Sequence, residues 1–231
     1  MASGRITLVV ALLVGLLSAC ASSPDTRGPL PDGAALVGAA ADTLRDLESV
    51  RFDFRVGGAI PGLSIRAVDG VATRTGGQYG WARGDADVQE HTDRRQYEYV
   101  LTGNRLDLTD SDGDRVSRGV PAQFSPARLL DPERGLRQLL TKATALETES
   151  REELQGVPAY RINGELSHAA VSALVPGIHD AVDVKFWVSE NPRRDLLRLW
   201  VQVPPRQPNE GSVMLELALT DHNKPVQNAQ G

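Results

Sequence analysis

Cys20 is the only cysteine in the 231 residues, and it stands directly after Leu17-Ser18-Ala19. A thiol behind two small residues, at the end of an apolar run, suits one specific chemistry. Its sulfur takes a diacylglyceryl group, the peptide bond before it is cut, and the freed amine starts the mature chain. Leu-Ser-Ala-Cys has the form of a bacterial lipobox, which makes Cys20 the lipid-attachment residue. No second constellation competes with it. A Gly-x-Ser-x-Gly elbow, a phosphate loop, a Cys-x-x-Cys pair and a His-Glu-x-x-His helix are all absent from the sequence. His91, His168, His179 and His222 are scattered, with no pair at metal-ligand spacing. Asp110-Ser-Asp-Gly-Asp114 opens like a calcium loop, but the sixth and twelfth places, which need Gly and Glu, hold Arg115 and Pro121. A hairpin turn rich in Asp and Gly explains that segment better. The expectation is therefore no metal, no cofactor and no enzyme.

The elements before Cys20 fit its role. Ile6 to Leu17 is an apolar run behind Arg5, within the roughly 7–15 residues of a secretory leader and short of the roughly 20 that span a bilayer. Residues 1–19 read as a lipoprotein signal peptide. Residues 20–33, rich in Ser, Pro and Gly, read as the lipidated cysteine and a flexible tether. Residues 34–226 read as one domain and 227–231 as a tail. With Cys20 acylated, no disulfide can form within the mature chain, so an apolar core must hold the fold. The net charge of −5 and pI near 5.4 exclude a basic stripe for nucleic acid. The location expected is the extracytoplasmic face of the cell membrane, by lipid anchor.

Within the domain, Leu36, Val37, Ala40, Ala41, Leu44 and Leu47 recur at helical steps between Ala34 and Ser49. The period then switches to two at Val50, Phe52, Phe54 and Val56. Short strands follow over 63–75, 78–84, 96–101 and 105–109. Asp131 as cap and Pro132 as first residue start a second helix with a stripe of Leu136, Leu139, Leu140 and Ala143. Two more strands run over 145–154 and 159–166, and Ser167 caps a third helix through Val175. The last quarter alternates cleanly in three strands, through Val184 and Phe186, through Leu199, and through Leu215. Helix, strands, helices, strands make an α+β domain on an antiparallel sheet. Apolar strand faces under short, alanine-rich helices can leave space for acyl chains, which makes Leu136, Leu140, Val184, Phe186, Leu199 and Leu215 candidate lining residues.

Several segments occur together in order: the lipobox, Val56-Gly-Gly-Ala-Ile-Pro-Gly-Leu63, Ser125-Pro to Gly135-Leu136, Gly156-Val-Pro-Ala-Tyr-Arg-Ile-Asn-Gly164 and Lys185-Phe-Trp-Val188. In that order they resemble the mycobacterial lipoprotein family of LppX, LprA, LprF and LprG. The resemblance implies a strongly curved half-barrel sheet with helices across its concave face and an apolar cavity between them. It adds Val71 to the lining, in a strand placed near that cavity. It also implies binding of multi-acyl lipids, acylated glycolipids among them, and their movement toward the outer envelope by a monomer, with a membrane transporter as a possible partner. Two alternatives stand beside the carrier: an interaction partner of an envelope transporter that holds no lipid, and an envelope hydrolase, which lacks a nucleophile motif. Cys20→Ala is expected to leave the leader uncut and the protein without added lipid mass. Mass spectrometry of the purified variant checks this, and full processing would refute the lipobox.

Overall fold

The computed structural model describes residues 24–76, 79–120 and 125–226. Eleven antiparallel strands form one open sheet in the order β6-β5-β4-β3-β2-β1-β11-β10-β9-β8-β7. The chain reaches the sheet through α1 (Gly33–Thr43) and a 3-10 turn (Leu44–Asp46). It then meanders outward from the middle through β1 (Ser49–Gly57), β2 (Ile65–Thr73), β3 (Trp81–Glu90), β4 (Asp93–Thr102), β5 (Arg105–Asp110) and β6 (Arg115–Gly119). From that edge it crosses to the other through α2 (Pro126–Leu129) and α3 (Gly135–Lys142). A second meander returns inward through β7 (Thr144–Leu154), β8 (Val157–Leu166), α4 (His168–Val171), β9 (Val182–Ser189), β10 (Leu196–Val203) and β11 (Val213–Thr220). The two meanders meet where β11 pairs with β1.

That seam is apolar on one face, with Phe52 opposite Leu219, Phe54 opposite Leu217 and Val56 opposite Leu215. Beyond its end the chain turns back, and Asn223 clamps the seam. The Asn223 side chain accepts from the Glu48 N–H at 2.7 Å and donates to the Asp46 carbonyl at 2.9 Å. The crossing from one edge of the sheet to the other has to run over a face, and an apolar face is available. The α1 residues Leu36, Val37, Ala40 and Ala41 are buried in the same core as Ile162, Val184 and Phe186, and α1 packs on β7, β8 and β9. The α3 residues Leu136, Leu139 and Leu140 join that core beside α1, while α2 packs on β2 and β3.

Several expectations change, among them the third helix, which ends at Val171 rather than Val175, and the strands expected over 78–84 and 96–101, which run over Trp81–Glu90 and Asp93–Thr102. The first helix ends at Thr43 rather than Ser49, because the tighter turn and Leu47 feed directly into β1. The second begins at Gly135, not at Pro132. Gly135 has φ +60 and its hydrogen faces the Leu129 carbonyl, where a Cβ would lie 2.2 Å away. Asp131 instead accepts from the Glu133 N–H in a turn, and Ser125 caps the short α2. The strand β6 had no signal, since all five of its residues are exposed. Finally, part of the expected flexible tether is docked: Asp25 forms an antiparallel bridge with Arg151 on β7. The Asp110 turn agrees with the sequence reading, its carboxylate accepting from the N–H groups of Asp112 and Asp114.

In the middle of the first meander the apolar row is interrupted by glycine. Gly70 faces Gly84 across β2 and β3, with Phe52 on one side and Tyr99 on the other. The Tyr99 ring covers the bare backbone and its hydroxyl donates to the Asp69 carbonyl at 3.3 Å, as aromatic residues do beside strand glycines. A Cβ on Gly84 would lie 1.9 Å from the Asp69 carbonyl oxygen. Gly84→Ala is therefore expected to cost about 1–3 kcal/mol or more by forcing β2 and β3 apart. Denaturant unfolding measures it, and an unchanged midpoint would contradict the close approach.

Candidate functional site

Cross-strand register assigns every strand residue to one of two faces. On the apolar face Leu199 lies opposite Phe186, and Val201 opposite both Val184 and Leu215. Phe186 also faces Ile162 on β8. From the helix side Leu136 and Leu140 enter the same cluster. Six of the seven residues expected to line a cavity are thus brought together, all buried, with Phe186 at 0% exposure. They form a closed apolar layer between helices and sheet. Grooves of about 680 and 310 Å³ lie elsewhere, lined by other residues.

Val71 does not join them. It sits opposite Arg51 on β1 and Arg83 on β3, on the polar face, and lines the larger groove there. The alternation through Ala67, Asp69 and Val71 is real, but it belongs to the outer set. The inner set of β2 is Val68, Gly70 and Ala72, opposite Phe54, Phe52 and Val50. The sequence-based site also left out the α1 stripe, Leu36, Val37, Ala40 and Ala41, and Ile162. The α1 signal was present as helical periodicity, and Ile162 was legible only as one of an alternating strand set. Cys20 and the leader lie outside the described residues, as does the tail at 227–231.

The polar face carries charge in two arrangements. Across β7, β8 and β9, Glu149 accepts from Arg161 at 2.6 Å and from Lys185 at 2.7 Å, while Glu152 accepts from the Trp187 indole at 2.9 Å. Burial pushes the Glu149 carboxyl up, and its two cations outweigh that and bring it below the usual range. Trp187 packs edge-on against Trp200 with centroids 4.9 Å apart, and Arg198 lies over the Trp187 ring. Across β1 to β4 the pattern is the reverse: Asp53, Asp69, Asp85 and Glu98 are directly opposite one another in a single row. Arg55 neutralises Asp53 through two contacts of 2.9 Å. Among the described residues no group of three His, Cys, Asp or Glu side chains is arranged to hold a metal ion. Neither arrangement sets a nucleophile beside a base, so what the structure offers chemically is an apolar layer under helices and a polar exterior.

The model of the LppX_LprAFG lipoprotein family matches residues 32–228, and the chain belongs to that family. The lipoarabinomannan carrier protein LprG of Mycolicibacterium hassiacum is 29% identical over 230 residues, which cover 96% of each chain. Among solved structures, LprF from Mycobacterium bovis is similar at a TM-score of 0.72 and 20% identity, covering 87% of this chain and 97% of that one. Mycobacterium tuberculosis LppX is similar at 0.65 and 22%, covering 84% and 96%. These two likenesses concern the fold: a large, open antiparallel sheet with few helices.

The acidic row has a measurable consequence. Partial loss of solvent, then the carboxylates of Asp85 and Asp53, push the Asp69 carboxyl above its ordinary value of 3.8. A raised carboxyl favours the folded state most when protonated, so its contribution is complete below the ordinary value and lost as pH rises through the folded one. Asp69→Asn is expected to raise the melting point at neutral pH, with the gain shrinking on acidification toward pH 4. Paired melts of the two proteins across that range check both the sign and the trend.

Proposed function

We propose that this family member is an exported, lipid-anchored carrier that holds the acyl chains of a multi-acyl lipid, such as an acylated glycolipid, between its helices and the apolar sheet face, and takes it toward the outer envelope. One observation carries the reading: α1, with α3 packed beside it, covers β7, β8 and β9 through apolar side chains. The polar ties of α1 to the sheet lie at its ends, where Thr148 donates to the Pro31 carbonyl and Thr43 donates to the Arg193 carbonyl, and its middle is held by apolar contacts. The name of the LprG relative, a lipoarabinomannan carrier, supports the ligand class, and the headgroup is expected to remain outside the layer.

The energetics suit loading and release. Exposing Leu36, Val37 and Leu44 to water would cost about 1.5–3 kcal/mol each, whereas each acyl CH2 shielded from water contributes about 0.8 kcal/mol. Roughly ten chain carbons offset the opening. A chain drawn from a bilayer leaves an already apolar medium and brings no such gain, so loading from that source depends on the acyl chain covering the side chains that the opening exposes. The protein works in this reading as a monomer at the extracytoplasmic face of the cell membrane, anchored through Cys20, with a membrane transporter as a possible source of cargo.

Residues 24–231, produced without leader or acylation in a host that makes envelope glycolipids, are expected to carry one multi-acyl lipid in native mass spectrometry. A protein that arrives empty and moves no lipid between vesicles would refute the carrier and favour the transporter-partner reading. Phe186→Ala removes a fully buried ring and is expected to cost the empty protein about 3–5 kcal/mol. Lipid loading should recover part of that loss, because an acyl chain can fill the void. Melting the loaded and empty variant side by side tests this, and equal melts would place the acyl chains elsewhere.

A further inference from the structure

The segment after Cys20 is composed like a spacer but is not bound like one. Asp25 and Arg151 exchange two backbone hydrogen bonds, each 2.8 Å. The Arg151 guanidinium then donates to the carbonyls of Arg27 at 3.0 Å and Pro29 at 3.1 Å. Farther along, the Thr148 hydroxyl donates to the Pro31 carbonyl at 2.7 Å, and Gly33 meets the β7 backbone at Leu146. Residues 25–33 therefore run antiparallel along β7 as a strap leading directly into α1, whose cap Asp32 accepts from the Ala35 N–H. Four residues, Ala21 to Pro24, separate Cys20 from the strap. Even fully extended, they place Asp25 within about 18 Å of the Cys20 α-carbon.

We propose that this strap fixes how the body meets the bilayer: the end of the sheet formed by the β7–β8 hairpin faces the membrane that holds the anchor. The direction follows from the strap's polarity. As the chain runs back from Gly33 to Asp25, it passes Leu146, Thr148 and Arg151 and heads for Gln155-Gly156 at the hairpin tip. Val157, 38% exposed, lies beside that tip, and the β9–β10 turn with Arg193 and Arg194 is at the same end. The opposite end, at the β10–β11 turn, lies roughly 25–30 Å farther out along the strands. The partner surface is the bilayer itself, and the inference rests on the reading of Cys20 as the lipid anchor.

The full lipidated chain, labelled with a fluorophore at Gln155→Cys or at Ser212→Cys, tests this in dioleoylphosphatidylcholine vesicles carrying a headgroup-linked quencher. The Cys20 thiol is occupied by lipid, so each label is unique. Stronger quenching at 155 than at 212 is expected. That difference should be lost when Arg151→Ala is combined with Asp25→Pro, and lost equally when residues 25–31 are replaced by a Gly/Ser run of the same length, which leaves the body untouched. Anchored protein with equal quenching at both positions would overturn the fixed orientation. A difference that survives both strap variants would show that something other than the strap sets it. Protein that does not stay with the vesicles at all would instead refute the anchor, and the orientation with it.

Discussion

The pairing of β1 with β11 is the constraint on which the rest of the structure depends. Each meander is a local product of hairpins, but a single sheet exists only because the first strand of the chain accepts the last as its neighbour. Phe52, Phe54 and Val56 meet Leu219, Leu217 and Leu215 there, which makes the apolar face continuous from one half to the other. The helical cover spans both halves: α1 lies on β7, β8 and β9 of the second meander, with α3 beside it, and α2 lies on β2 and β3 of the first.

How much of this was legible in the sequence depended on side-chain contrast. The strands β1, β9, β10 and β11 alternate large apolar residues with polar ones, so their type and inner face could be read directly. In β2 and β3 most inner positions are small, Gly70, Ala72, Ala82, Gly84 and Ala86 beside Val68, and they do not stand out against outer residues such as Val71. The inversion of Val71 follows from that lack of contrast. The strand β6 has no buried residue and is held by backbone pairing with β5, which leaves no hydrophobic signal. The displaced start of α3 came from a left-handed glycine at Gly135, a conformation the preceding Asp-Pro pair did not announce. The strap was invisible for a similar reason, since Arg151 recognises backbone carbonyls and no apolar pattern marks them.

The two faces of the sheet differ in kind. Inside, the contacts are dispersive and weakly directional. Outside, Glu149, Arg161, Lys185 and Glu152 tie β7, β8 and β9 together with charged hydrogen bonds, and the Trp187–Trp200 contact extends the brace to β10. In the proposed carrier this division would let the outer face stiffen the strands, while α1 is tied to the sheet by hydrogen bonds only near its ends, at Pro31 and Thr43.

The position of β11 also bears on how the molecule is made. Its partner β1 lies roughly 160 residues earlier, a separation whose loop-closure cost is about 4–5 kcal/mol before any contact is gained. A chain that crosses a membrane from its amino end delivers β1 first and β11 last. On such a passage Phe52 and Phe54 have no β11 to cover them until the end, and α1 waits for β7, β8 and β9. For the proposed exported protein, maturation would then end with one long-range event, the arrival of the final strand.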